Sequence, residues 1–472
     1  MTFEKLLCTP CIIVAVVMLL MAFCIQGYCR GSEKAVRSRL RSYLDTIKVV
    51  DTHEHQRIPP EFEGHKYNFY TILAYSYLKS DLASAGTDDI LLQPKIVNDG
   101  NLDELWQRYG QYLDVARNTS SYAHFARGFR ELYGMDSPHF TKKNIAKLSE
   151  KVARNYSDYE KWFADTFKSA GFEIMFVDPY WDWSIVNIDR RYFGLVLHIN
   201  EMVTSIYRHP VENPAADPQN LFVHAESEGV SIKSLDDYLS YTDSIIRKFH
   251  DNNAVCMKNS LAYQRTLDFE PVTYEKAKEL FCLPTAALSA SQKKMLEDFV
   301  FGWIVEKSIS YKLPIQIHTG TMAGVPIAIE NAMPTKLNGL FIRYPNARFI
   351  LLHDGYPWTA ECTALAKLFP NVYIDIAWLS QLSQTAAAYC LNEMLDSVPY
   401  NKIFWGSDTH FIEQAVGTLE CDKDMVTAVL AERVEKKLMT EDVARDVLLK
   451  IFRDNAVRVF DLAAKQSKGN IK

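Results

Sequence analysis

The sequence has too few well-spaced cysteines to build a disulfide framework. Of its 9 cysteines, four precede residue 30, and the other five are Cys256, Cys282, Cys362, Cys390 and Cys421. These five are scattered, odd in number and without a Cys-x-x-Cys spacing, which argues against a disulfide scaffold and a thiolate zinc site. They read instead as small buried hydrophobes. Neither sign of charge dominates: 52 Lys and Arg face 58 Asp and Glu, a net charge of −6, so no nucleic-acid footprint is expected. No repeat of fixed period and no low-complexity tract is visible. The unbroken apolar run Cys11–Ile25, preceded by Lys5, is fifteen residues long. That is short of the roughly 20 residues a membrane helix needs and suits the h-region of a signal peptide. No small-x-small pair precedes Arg30-Gly31-Ser32, and Cys24 and Cys29 follow bulky Phe23 and Tyr28, unlike a lipobox. Residues 1–31 are therefore set apart as a signal peptide or an N-terminal anchor. Export to a periplasm or the exterior is expected, with membrane attachment only through this segment.

What the chain does have is enough apolar residue for a large core, 48% against 23% charged, and a set of strand-like runs that end in metal-ligand chemistry. Val49-Val50-Asp51-Thr52 leads to His53-Glu54-His55. On an extended backbone, residues two apart share a face, so His53 and His55 can reach one ion while Glu54 points away. Leu313–Ile317 ends at His318, Arg348–Leu352 ends at His353, and Lys402–Ser407 ends at Asp408. Short runs rich in Ile, Leu, Val and Phe read as buried parallel strands, and the Gly and polar residues after them mark βα loops. Ligand-type residues at the C-terminal ends of successive strands are where a (β/α)8 barrel carries its active site. The expected fold is thus α/β, a (β/α)8 TIM barrel over residues 32–472. Strands are expected near Ile47–Asp51, Glu173–Asp178, Leu221–His224, Ala254–Lys258, Pro314–His318, Arg348–His353, Val372–Ile376 and Ile403–Ser407. Between the first two lie more than a hundred residues, rich in Tyr, Leu, Trp and charge. They read as a large helical insertion after strand 1, over about 60–170, that roofs the site. Within it, Ser80–Gly86 is a candidate substrate-facing loop, although N-capping is the commoner role of such residues.

With these motifs in order, the chain resembles the metal-dependent amidohydrolase superfamily. The residues that carry the resemblance are Asp51-Thr52-His53-Glu54-His55, Ile317-His318-Thr319-Gly320, Leu352-His353-Asp354-Gly355-Tyr356-Pro357 and Gly406-Ser407-Asp408. Met257 to Arg265, the sequence MKNSLAYQR, is similar to the fourth strand and loop of the subgroup related to nodulin and glutamine-synthetase-fused amidohydrolases. The resemblance covers roughly residues 45 to 460.

A site of imidazoles and a carboxylate suits Zn²⁺, with Mn²⁺ or Fe²⁺ as alternatives. His53, His55, His318 and Asp408 are the candidate ligands, with one or two ions per chain. The resemblance implies that Asp408 touches both metal and water and moves the proton. It gives His353 two roles, ligand of a second ion or a group that polarises the substrate. Lys258, at the end of strand 4, is a ligand or carbamate bridge in one reading and a free ammonium in the other. Tyr263 and Arg265 are the candidate substrate-binding residues, because an arginine forks around a carboxylate. Tyr356, Trp358 and His410 lie in loops expected above the barrel mouth, and His224 is expected to close strand 3.

Three functional readings follow. In the first, metal-activated water cleaves a C–N bond, of amide type, in a small carboxylate-bearing molecule. In the second, the same site decarboxylates or isomerises, as in uronate isomerases, whose length and insertion are similar. In the third, the barrel binds without reacting. The first is favoured by the Lys258–Tyr263–Arg265 segment, and the third is disfavoured because a dead site has no reason to keep buried polar ligands. A small molecule is the expected partner; self-association is left open.

Overall fold

The apolar runs ending at the two-histidine motif, His318, His353 and Asp408 become buried parallel strands in the computed structural model, which describes residues 33–57, 67–87, 101–209, 213–324 and 327–469. The strands are β1 Val49–Glu54, β2 Phe172–Val177, β3 Phe193–His198, β4 Cys256–Asn259, β5 Ile315–His318, β6 Phe349–Leu352, β7 Val372–Asp375 and β8 Ile403–Phe404. They follow one another in sequence order, each parallel to the next. The ring closes where the Asp408 N–H donates to the His53 carbonyl at 2.8 Å and the His55 N–H to the Thr409 carbonyl at 2.8 Å. The molecule is therefore the expected TIM barrel, with helices between all successive strands except β2 and β3.

The barrel is apolar at one end and polar at the other. Val50, Ile174, Phe176, Val196, Cys256, Ile350, Leu352 and Phe404 form one cluster, joined by Ala456, Val459 and Phe460 from the C-terminal segment. Toward the C-terminal strand ends the filling turns polar: Thr52 bonds to Asp375, and the Gln316 amide donates to the Thr52 carbonyl at 2.6 Å. The register of β1 against β2 slips between Asp51 and Glu54. Such an irregularity bends a strand and re-aims side chains beside active sites.

The helical insertion is present, and its attachment to the barrel is specific. Helices Phe69–Ala74, Leu78–Ser84, Leu102–Val115, Ser120–Tyr133, Lys142–Tyr156 and Tyr159–Ala170 fill most of it. Ser120–Tyr133 crosses the long helix Ile412–Glu435, which follows β8, at two glycines. A Cβ on Gly128 would lie 2.0 Å from the Glu413 carbonyl oxygen, and one on Gly417 would lie 2.2 Å from that of His124. Beside the crossing, the buried Glu413 carboxylate accepts from Tyr133 Oη at 2.6 Å, Tyr156 Oη at 2.9 Å and Trp162 Nε1 at 3.1 Å. All three donors belong to the insertion, so its packing is tied to the helix that begins just after Asp408.

Two expectations are corrected. Strand 3 is Phe193–His198, and Leu221–Ser227 is a helix whose first turn is capped by Asn220 accepting from the Phe222 N–H at 2.9 Å. A four-residue apolar run reads equally as strand or buried helix, and the cap decides. His224 therefore does not close a strand; its Nδ1 meets Tyr241 Oη at 2.6 Å, and His198 takes the strand-end place. Ser80–Ser84 also lies within a helix and not in a loop. The proposed signal or anchor segment, residues 1–31, lies outside the described residues. Among those described, no helix is long and apolar enough to cross a membrane.

Candidate metal centre

His53, His55 and Asp408 meet at the mouth of the barrel. One ligand atom from each lies within 4.8 Å of the others, and all three side chains are buried. His55 Nε2 is 3.4 Å and His53 Nε2 3.9 Å from Asp408 Oδ1. The His55 tautomer follows from its other nitrogen: Nδ1 sits 3.0 Å from the Asp178 carbonyl oxygen, which can only accept, so Nε2 keeps its lone pair. An imidazole held this way by a backbone carbonyl is a pre-oriented metal ligand.

The same reasoning applied to His318 and His353 gives a stronger result. His353 Nδ1 donates to the Ala377 carbonyl at 2.8 Å, and His318 Nε2 donates to the Thr321 carbonyl at 3.0 Å. Their remaining nitrogens, His353 Nε2 and His318 Nδ1, face each other at 3.0 Å. In the neutral rings both are lone pairs, and two lone pairs at that separation need a positive charge between them. Burial keeps protons off these rings: it pushes His53 and His318 well below the usual imidazole range, lowers His55, and brings His353 to about 4. Neutral imidazoles with converging lone pairs fit a divalent cation. His353 Nδ1 is also 3.7 Å from Asp408 Oδ2, so the second histidine pair adjoins the first cluster.

Lys258, on β4, is buried with its Nζ 2.9 Å from His53 Nε2. Burial lowers its pKa, and the carboxylates of Asp178 and Asp408 counter this in part. The lysine thus borders the His53 side of the centre, where either an amine or a bridging group can serve.

The frame around the centre is strained and rigid. His353, Trp378 and Asp408, just past the ends of β6, β7 and β8, have φ of 67°, 63° and 56°. Non-glycine residues held there cost on the order of 1–3 kcal/mol each, and such strain concentrates at functional sites. Glu54, expected to point away, is instead buried: with Asp51 it holds Ser407, and it accepts from the Thr409 N–H at 3.2 Å. Burial pushes Asp51 up to about 7 and Glu54 well above the carboxylate range, and through Ser407 and Thr409 the pair ties β1 to the loop bearing Asp408.

Of the residues expected to bind substrate, one borders the centre and one does not. Tyr263 packs on His318 with ring centroids 4.9 Å apart, and its hydroxyl accepts from the Ala323 N–H at 2.9 Å. Arg265 is committed elsewhere. Its guanidinium pairs with Glu297 at 2.8 Å and Asp298 at 2.5 Å, and its plane covers Phe269 at 4.8 Å. Two carboxylates already occupy its fork, so it holds the helix Ala290–Ser310 and is not a receptor for an acidic substrate. Near the mouth, Arg57 is flanked by the rings of Tyr75 at 4.6 Å and Trp181 at 4.3 Å. His410 lies nearby, 5.4 Å from the His55 ring.

Several site residues had no signature in the sequence. Tyr77, from the insertion, donates to Asp408 Oδ1 at 2.7 Å and stacks on Trp378 at 4.3 Å. Burial and then the Asp408 charge push its pKa well up, so it remains a donor. Asp178, ending β2, accepts from His198 Nδ1 at 3.0 Å. Burial pushes the Asp178 carboxyl up, but His198 and other nearby positive groups outweigh this and hold it below its usual range.

Comparison with known proteins follows from this geometry. Residues 297–462, from within the helix before β5 to the C-terminal segment, match the family model described as Amidohydrolase. Over this stretch the chain is similar to the amidohydrolase family. The match covers about a third of the chain, the part that carries His318, His353 and Asp408. Among solved structures, the uronate isomerase of Thermotoga maritima aligns with a TM-score of 0.73 at 13% identity, over 90% of this chain and 97% of that one. The glucuronate isomerase of Caulobacter crescentus aligns with a TM-score of 0.70 at 14% identity, over 91% and 95%. A nominal metal-dependent hydrolase from Lactobacillus casei aligns with a TM-score of 0.61 at 17% identity, over 90% and 98%. At these identities the likeness shows the fold alone. Among curated proteins, Protein fluG of Emericella nidulans is 24% identical over 274 residues, which is 53% of this chain and 32% of that protein. The chain thus spans about a third of the length of this relative.

Proposed function

We propose that this protein is a metal-dependent hydrolase of the amidohydrolase superfamily that cleaves a C–N bond, of amide type, in a small acidic molecule. The observation that carries the reading is the pair of converging lone pairs on His318 and His353 beside the cluster of His53, His55 and Asp408. Five ligand-type side chains around one centre suit a cationic site of one or two ions, zinc first, with manganese or iron as alternatives. Bound there, a divalent ion lowers the pKa of water and polarises a carbonyl.

The chain's own residues supply the rest. Asp408 is the proton acceptor, with Oδ2 facing His353 and Oδ1 held by Tyr77. It later returns the proton to the leaving nitrogen, the two-way role a single carboxylate can play. The rings of Tyr77 and Trp378 cover one side of the centre, while Tyr180 packs on His55 at 5.0 Å on another, so access of bulk water is restricted. Arg57, flanked by Tyr75 and Trp181, adds positive charge on the approach to the centre, which suits an acidic substrate.

The second reading is a sugar-acid isomerase. It is favoured by the contact between Tyr77 and Asp408, which places two proton-handling groups side by side, as a proton transfer between neighbouring carbons requires. The two uronate and glucuronate isomerases of the same fold are consistent with it. One experiment separates the readings: zinc- or manganese-loaded protein is incubated in D2O with N-acyl and γ-glutamyl amides of amino acids, and separately with D-glucuronate, and followed by NMR. Release of amine and acid supports hydrolysis. Deuterium uptake and ketose formation from D-glucuronate, with the amides untouched, would replace the first reading by the second.

A further inference from the structure

Trp378 is held in a costly conformation beside the candidate metal centre, and its indole N–H has no partner among the described residues. The indole is 3% exposed, and Nε1 is buried without a hydrogen bond. Other buried or half-buried indoles are satisfied: Trp162 donates to Glu413, Trp183 to the Gln219 carbonyl at 2.9 Å and Trp405 to Asp422 at 2.8 Å. A buried donor left unpaired costs about 1–3 kcal/mol. The backbone adds to this, since φ 63° and ψ −20° lie in the left-handed region, which a bulky aromatic residue seldom occupies.

Neighbouring atoms explain why the conformation is enforced. The preceding carbonyl, Ala377 O, accepts from His353 Nδ1, and the following carbonyl, Trp378 O, accepts from the Gln381 N–H at 3.0 Å. The ring lies against Tyr77 at 4.3 Å, His353 at 5.3 Å and His318 at 6.5 Å. Its ring is thus packed among groups of the centre itself.

We infer that Trp378 is a specificity-determining residue whose indole N–H donates to a carbonyl or carboxylate oxygen of the bound substrate. The inference rests on the metal-centre reading above. A neutral donor suits this place, because the adjoining histidines already carry the lone pairs and a second acceptor beside them would be repelled. An indole N–H has no acceptor capacity, so an ammonium group, which can only donate, would be rejected at the same point. Discrimination of this kind is strong, because an analogue lacking the acceptor leaves the N–H buried and unpaired.

The test uses metal-loaded protein with ¹⁵N-labelled indoles, of which the chain has 8. W378F identifies the Trp378 resonance and removes the N–H while keeping an aromatic ring at the position. The probe is acetohydroxamate, a small metal-binding molecule with a carbonyl oxygen. The expected result is a saturable downfield shift of the Trp378 Hε1 signal with the same Kd as calorimetry, slowed solvent exchange of that proton, and a tenfold or greater loss of affinity in W378F at unchanged metal content. Calorimetric binding with an unmoved Trp378 signal overturns the inference, as does equal affinity in W378F. If acetohydroxamate fails to bind the loaded protein, the metal-centre reading itself falls and this inference falls with it. Should W378F not fold, the wild-type shift and exchange alone decide.

Discussion

Replacing Gly128 by Ala tests whether the insertion is an integral wall of the site. A Cβ at this position would lie 2.0 Å from the Glu413 carbonyl oxygen and 2.9 Å from its carbon, both backbone atoms of the crossing helix. Backbone cannot swing aside as a side-chain tip can, so the helices Ser120–Tyr133 and Ile412–Glu435 must part by about 1 Å to reach a normal contact. Overpacking of this kind costs about 1–3 kcal/mol, sometimes more. Against it stands the intrinsic helical advantage of Ala over Gly, about 1 kcal/mol. The steric term is expected to win, because the same movement stretches the bonds from Tyr133, Tyr156 and Trp162 to Glu413. Gly339 provides the control: it is helical, and a Cβ there meets only the far end of Arg343 at 3.6 Å. Urea unfolding of the two variants is expected to show G128A destabilised by about 1–3 kcal/mol and G339A unchanged or slightly stabilised. Limited proteolysis should cut the insertion faster in G128A. A G128A protein as stable and protease-resistant as the wild type would refute the close crossing and, with it, the fixed placement of Tyr77.

Other substitutions bear on the centre and its surroundings. Asp408→Asn is expected to lower turnover by roughly 10²–10⁴, the usual contribution of a positioned acid–base group, measured as kcat on the substrate the NMR screen identifies. Arg265→Met should cost about 3 kcal/mol in urea unfolding, because Asp298 and Glu297 are left buried without their main counter-charge, while KM for acidic substrates is unchanged. A rise in KM with stability intact would restore Arg265 to the binding site. Acid should loosen the N-terminal helical residues 33–44. Hydrogen bonds from Arg39 and Arg445 hold Glu441 down to about 2, so its contribution is complete above its ordinary value of 4.5 and is lost as pH falls through that range toward 2. Hydrogen exchange of residues 33–44 should therefore quicken below pH 4 in the wild type, and Glu441→Gln should abolish that change.

The centre was legible where chemistry sits at the end of a recognisable strand. The runs before His53, His318, His353 and Asp408 are apolar, short and followed by loop residues, so both the element and the ligand could be read from one stretch of chain. Strand 3 was not legible in this way. Phe193–His198 carries no second ligand motif, and the competing run Leu221–His224 is apolar but begins after a capping asparagine. Tyr77 and Trp378 escaped because an aromatic residue beside a strand end or in a helical insertion is ordinarily packing; only the three-dimensional contact with Asp408 and the unpaired indole N–H distinguish them. Arg265 misled for the complementary reason. Its partners lie 32 and 33 residues later on a helix, and the sequence gives no sign of which acids an arginine will meet. Glu54 followed the simple alternation of an extended strand only up to the slip in β1, which turned it into the tie between β1 and the Asp408 loop.

Elemental analysis of the purified chain, wild type beside a His53→Ala/His55→Ala double variant, tests the metal centre most directly. The account predicts at least one divalent transition ion per wild-type chain, retained through gel filtration, and its loss in a double variant that still folds. Wild-type protein free of such ions after growth with zinc, manganese and iron, or a double variant that binds them as tightly, would contradict it.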